Sequence, residues 1–106
     1  MSDWMNIVAT SDLLPGGHMV VDIDDASIVL VNLDGDYFAI ENICTHDGSE
    51  IGSGCIIDGQ IECPRHGARF DVKSGEVTAP PAYESIDVFP VRVVDDVVQV
   101  RDHRWD

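Results

Sequence analysis

An all-β fold, a small antiparallel sandwich or barrel, is predicted by three observations. β-Branched apolar segments of about five residues recur along the chain. Turn-forming pairs separate them: Asp34-Gly35, Asp58-Gly59, Ser74-Gly75 and Asp95-Asp96. No segment sustains the 3.6-residue apolar period of an amphipathic helix.

In order, Ile7-Val8-Ala9 reads as the first strand, with Trp4 placed to cap one end of the core. Thr10 to Gly17 is rich in turn formers and reads as a loop with one helical turn. Met19 to Ile23 and Ser27 to Leu33 are strands joined by Asp24-Asp25. Asp34-Gly35-Asp36 then turns the chain, with Gly35 free to take positive φ. Tyr37 to Asn42 returns and delivers the chain to Cys44. Gly52-Ser53-Gly54 interrupts regular structure. Cys55 to Glu62 forms a second hairpin across Asp58-Gly59. A third turn, Lys73 to Glu76, is flanked by short strands. Pro80-Pro81 stiffens the next loop. Ile86 to Val94 and Val97 to Arg101 form the last hairpin, with Pro90 marking an edge or bulge.

At 106 residues, one domain spanning 1–106 is expected. Apolar residues make up 44% and charged ones 25%, a globular rather than disordered balance. No apolar run approaches the roughly 20 residues of a bilayer span. Met1-Ser2-Asp3-Trp4 has neither a basic region nor an apolar core, so no signal peptide is expected. Three cysteines do not make a disulfide framework, and a reducing cytoplasm is the simplest setting. The formal net charge of −14 makes nucleic acid and anionic membranes poor partners. It suits either plain solubility or docking to basic proteins.

Two stretches carry chemistry: Cys44-Thr45-His46 and Cys63-Pro64-Arg65-His66-Gly67. Each offers a thiolate and an imidazole, and residues 47–62 separate them. Cys44, His46, Cys63 and His66 therefore form a candidate metal site. Such ligands suit zinc, copper and iron–sulfur chemistry alike. Zinc folds usually pair Cys with Cys and His with His, whereas each loop here pairs one of each.

Both loops resemble those of the Rieske [2Fe–2S] family. A third segment, Thr78-Ala79-Pro80-Pro81-Ala82, is similar to a covering loop of bacterial oxygenase ferredoxins. The likeness extends from about Ile7 to Val100. It implies one [2Fe–2S] cluster with two Cys on one iron and two His on the other. It also implies a three-stranded cluster-binding subdomain at about 43–82, holding the Cys55–Cys63 hairpin. The His ligate through Nδ1 in the family and leave Nε2–H near solvent, so the potential should fall at alkaline pH. Backbone N–H groups of 45–48 and 65–68 should face the sulfides, with Gly48 and Gly67 allowing that geometry. Pro81 should shield the cluster.

Rieske centres span about −150 to +300 mV. High-potential members of the family have a disulfide beneath the cluster and a Ser and a Tyr bonded to its sulfurs. Ser49 and Arg65 stand at the disulfide positions, and Ala68 and Phe70 at the hydroxyl positions. Two missing charge-assisted bonds at about 1.5–3 kcal/mol each correspond to at most roughly 130–260 mV. A low-potential ferredoxin is the expectation.

The resemblance implies a one-electron carrier between a flavoprotein ferredoxin reductase and a terminal ring-hydroxylating oxygenase, with no catalysis of its own. A Rieske subunit of another redox enzyme, such as an assimilatory nitrite reductase, and a zinc-stabilised interaction module are the alternatives. Cys55 is expected as a buried free thiol in a strand. His18 and His103 are expected to be passive, Asp47 either a solvated loop charge or a residue for docking or for tuning the potential, and Arg65 a contact for a partner's acid. No phosphate loop or nucleophile–base arrangement is visible.

Overall fold

The computed structural model describes residues 4–23 and 25–104; the expected Asp24-Asp25 turn falls partly outside them. Eleven strands run in the order β1 (Met5–Ala9), β2 (His18–Ile23), β3 (Ala26–Leu33), β4 (Asp36–Glu41), β5 (Ile56–Ile57), β6 (Gln60–Glu62), β7 (Arg69–Asp71), β8 (Val77–Ala79), β9 (Val88–Phe89), β10 (Val91–Val94) and β11 (Val97–Val100). Among the described residues one 3-10 turn, Thr10–Asp12, follows β1. All pairings among these strands are antiparallel. They form three sheets, ordered β1-β11-β10, β2-β3-β4-β9 and β5-β6-β7-β8.

The expected turns close these hairpins. Asp34 and Gly35, Asp58 and Gly59, and Asp95 and Asp96 all take positive φ, between 51° and 99°. Paired positive φ gives the turn a twist that matches the flanking strands. Asp and Gly tolerate that region better than branched residues do.

β3 explains how the layers join. Its apolar run Ile28-Val29-Leu30-Val31 is wholly buried. Alternate side chains leave opposite faces of a strand. Val29 and Val31 enter one core with Ile40, Ile51, Ile61, Phe70 and Val72. Ile28 and Leu30 enter the other with Ala39, Phe89, Val98 and Val100. The central sheet is therefore sandwiched, and a run with no polar alternation is what two-sided burial requires.

One detail departs from expectation. The third sheet has four strands, not three. Gly75 N–H donates to Asp71 O at 2.8 Å and Asp71 N–H to Glu76 O at 2.8 Å. That closed turn returns Val77–Ala79 alongside β7, with a register shift at Arg69/Phe70. Pro90 stands at a sheet edge, as expected, and there the chain changes sheet: β9 and β10 are both edge strands. Before it, Val88 and Phe89 pair with β4; after it, β10 pairs with β11. Proline has no N–H to continue a ladder, so the chain leaves one sheet there and enters another.

Candidate metal centre

The two loops that carry the candidate ligands leave the ends of β4 and β6, and their backbones are copies of one another. Cys44 N–H donates to Ser49 O at 2.7 Å and Gly48 N–H to Cys44 O at 2.7 Å. In the second loop Cys63 N–H donates to Ala68 O at 2.7 Å and Gly67 N–H to Cys63 O at 3.1 Å. Gly48 and Gly67 have φ of 78° and 80°, a region costly for residues with a Cβ. The repeated Cys-x-x-x-Gly spacing is the sequence signal of this shared loop.

The loops bring all four candidate ligands to one end of the molecule. Cys44 and Cys63 are fully buried and sit at the edge of the core that holds Ala68, Phe70 and Ala82. The Cys44 thiol pKa is raised: burial is the main cause, the backbone N–H of His46 opposes it, and a hydrogen bond to the Cys63 thiol adds to it. Two sulfurs therefore stand side by side. His46 and His66 are exposed. Their rings meet edge to face with centroids 5.0 Å apart. One loop places its His two residues after Cys and the other three, yet both rings reach the same patch.

Several neighbours fix these loops. Thr45 Oγ1 donates to Glu84 O at 2.7 Å and ties the first loop to the proline segment. In that segment Pro80-Pro81 is a cis pair, Pro81 is half-buried, and Ala82 lies in the core beside both cysteines. Asn42 was not singled out by sequence reasoning, and it organises the first loop's return. Its Oδ1 accepts from Ile51 N–H at 2.9 Å and Gly52 N–H at 2.8 Å. Its Nδ2 donates to Ser27 Oγ at 3.1 Å. Its burial and its partners, set by the fold, are what reveal that role. His18 is not passive either: its Nε2 lies 2.9 Å from Gly52 O on the same return.

Other expectations need correcting. Cys55 is exposed rather than buried. Its carbonyl continues the ladder, accepting Glu62 N–H at 2.9 Å. Period-two alternation puts Ile56 against the core and so turns Cys55 and Ile57 outward. The Gly48 and Gly67 N–H groups donate to Cys44 O and Cys63 O, and those of His46 and Asp47 face the Cys44 sulfur. Asp47 is more than a solvated charge. Its Oδ1 accepts Ser49 N–H at 2.9 Å, and its Oδ2 lies 3.5 Å from Arg65 Nε and 3.6 Å from His66 Nδ1. The Ser49 backbone N–H, then its hydroxyl, hold the Asp47 carboxyl below the usual carboxylate range. His103 packs edge-on against Phe89 with centroids 5.7 Å apart. Trp4 is half-buried, with the Arg92 guanidinium 4.3 Å over its ring.

Two adjacent buried sulfurs beneath two adjacent exposed imidazoles match the donor set of a Rieske centre. The chain belongs to the Rieske [2Fe–2S] domain family, whose model matches residues 3–90. The cofactor of that family is one Rieske [2Fe–2S] cluster. Among relatives, the ferredoxin component of the naphthalene 1,2-dioxygenase system of Pseudomonas putida is 33% identical over 85% of this chain and 86% of its own. A chain of the solved complex of reduced oxygenase and oxidized ferredoxin in carbazole 1,9a-dioxygenase superposes with a TM-score of 0.87. It is 31% identical and covers 92% of this chain and 91% of its own. A structure described as a "putative NADH-dependent nitrite reductase small subunit" from Mycobacterium tuberculosis gives a TM-score of 0.85 at 25% identity, covering 96% of both chains.

Proposed function

We propose that this chain is the ferredoxin component of a multicomponent ring-hydroxylating oxygenase system, a low-potential one-electron carrier rather than a catalyst. One observation carries the reading: Cys44 and Cys63 are fully buried side by side under the exposed pair His46 and His66. Cys44 and Cys63 would hold one iron and His46 and His66 the other. When bound, the cluster supplies a one-electron couple; with neutral His its oxidised unit is near zero charge, which favours reduction relative to an all-Cys cluster.

The chain's own residues do the rest. The buried thiolates and the core around Ala68 and Phe70 keep water from the sulfur side. The two imidazoles occupy the solvent edge, where a partner can approach closely enough to exchange an electron. Ala68 and Phe70 are both fully buried and offer no hydroxyl to the cluster, which supports a low potential. Pro81 and Ala82, held by the Thr45–Glu84 bond, cover the flank.

In this reading the whole chain, 1–106, is one domain, with the cluster-binding part at about 43–82. It works in the cytoplasm and docks transiently with a flavoprotein reductase and a terminal oxygenase. Among the described residues no helix is long and apolar enough to cross a membrane. The likeness to a nitrite reductase small subunit favours a second reading, a stable subunit of a larger enzyme; co-purification with a large subunit at fixed stoichiometry would select it.

The test is an EPR spectrum of anaerobically purified protein before and after reduction, with iron, sulfide and zinc assayed on the same sample. A Rieske-type signal in the reduced state, two irons and two sulfides per chain, and loss of iron in Cys44→Ala and Cys63→Ala are expected. An EPR-silent protein carrying one zinc would end the carrier reading.

A further inference from the structure

Asp47 is the side chain that the ligand roles leave unexplained. It sits in the first loop, between His46 and Gly48, yet its carboxylate reaches the second. Oδ1 is fixed by Ser49 N–H at 2.9 Å. Oδ2 then stands 3.6 Å from His66 Nδ1 and 3.5 Å from Arg65 Nε. His46, Asp47 and His66 bring their donor atoms within 4.8 Å of one another. A fixed negative charge thus lies against the two imidazoles, with one cation beside it.

The Asx-type bond to Ser49 removes most of the carboxylate's freedom, so its charge stays by the imidazoles instead of swinging into solvent. Arg65 is held less firmly, with 64% of its side chain exposed. The two charges compete at the same edge. Reduction adds one negative charge to the site, so a nearby carboxylate opposes it and a nearby guanidinium assists it. Exposure and salt weaken both effects without changing their signs.

We propose that Asp47 and Arg65 form an opposed charge pair that sets the reduction potential of this site, Asp47 lowering it and Arg65 partly offsetting that. The proposal rests on His46 and His66 being iron ligands. It deepens the carrier reading by naming residues outside the ligand set that tune it. Asp47 is a positioning and tuning residue, not an iron ligand.

The experiment is a potentiometric titration of the cluster-loaded chain, followed by EPR, for the parent, Asp47→Asn, Asp47→Glu and Arg65→Gln, at low and high salt. Asp47→Asn should favour reduction by about threefold, close to 30 mV at 59 mV per tenfold for one electron. Asp47→Glu, which keeps the charge, should stay nearer the parent. Arg65→Gln should disfavour reduction by about twofold. High salt should shrink both shifts. A purely structural role for the pair would not give opposite signs. If Asp47→Asn loads its cluster and keeps the parent midpoint, the proposal is overturned. If that variant does not load, Arg65→Gln decides: a fall supports the pair, and no change refutes it. A parent chain that never assembles a Rieske cluster would instead defeat the carrier reading itself, a distinct and earlier failure.

Discussion

Replacing Asn42 with Ala should destabilise the chain far more than a typical surface substitution. The Asn42 side chain is nearly buried, at 7% exposure. Its Oδ1 accepts two backbone N–H groups, from Ile51 and Gly52. Ile51 is fully buried, so its amide would be orphaned away from water, at about 1–3 kcal/mol. Gly52 is half-buried and recovers part of its loss from solvent. The lost bond to Ser27 Oγ adds a smaller amount. Together the expected loss is about 2–4 kcal/mol. For a chain of 106 residues that corresponds to a drop in Tm of roughly 10 °C or more. Denaturant unfolding of parent and variant, both without cluster, reads it directly. Asn42→Asp retains the Oδ1 acceptor and should lose less. A loss below about 1 kcal/mol for Asn42→Ala, or an equal loss for Asn42→Asp, would refute the anchoring argument.

Three further outcomes follow from other contacts. Asp102 is fully buried and receives Arg104 Nε at 2.9 Å and Nη2 at 2.8 Å, and chiefly these bonds depress its pKa from 3.8 to about 2. The pair should contribute about 2 kcal/mol. Because the folded-state pKa is the lower one, that contribution is complete above about pH 4 and fades as pH falls toward 2. Asp102→Asn should therefore cost about 2 kcal/mol at neutral pH and flatten the stability profile across that acid window; an unchanged slope in urea titrations at pH 2–5 counts against it. A Cβ at Gly54 would collide with the carbonyl oxygen of Glu62, so Gly54→Ala should lower Tm and loosen the hairpin that leads to Cys63, whereas Gly35→Ala, with open space around it, should suffer only from its φ of 99°; similar losses in thermal melts of the two would show the clash to be unimportant. Phe70→Tyr places a hydroxyl at a buried position and should raise the midpoint potential by about 65–130 mV, equivalent to one charge-assisted bond; an intact cluster with an unmoved potential would sink the hydroxyl account of the proposed low potential.

The local chemistry was legible in the sequence because it depends on neighbours within a few residues. Asp58-Gly59 and Asp95-Asp96 announce their turns, since few other pairs accept positive φ twice in succession. The Cys-x-His and Cys-x-x-His loops announce a candidate metal site because two thiols and two imidazoles in Gly/Pro loops have no evident packing role. Where side chains point was harder. Cys55 read as a buried thiol because it has no ligand partner at metal spacing and free Cys is usually buried; the strand's alternation, fixed only once Ile56 packs inward, turned it out. Pro90 read correctly as an edge, but a sequence shows only that a ladder breaks, not that the chain then joins another sheet.

The sequence by itself therefore determined the all-β class, the hairpin turns and the four candidate ligands. Only the tertiary structure decided the fourth strand of the third sheet, the Asn42 anchor, and the meeting of Asp47 with Arg65 and His66. Those contacts join residues distant along the chain, from Ser27 to Asn42 to Gly52, or from Asp47 to His66. A linear pattern encodes period and turn type but not which distant groups end up satisfying one another. Buried polar groups must find such partners, and the fold alone assigns them.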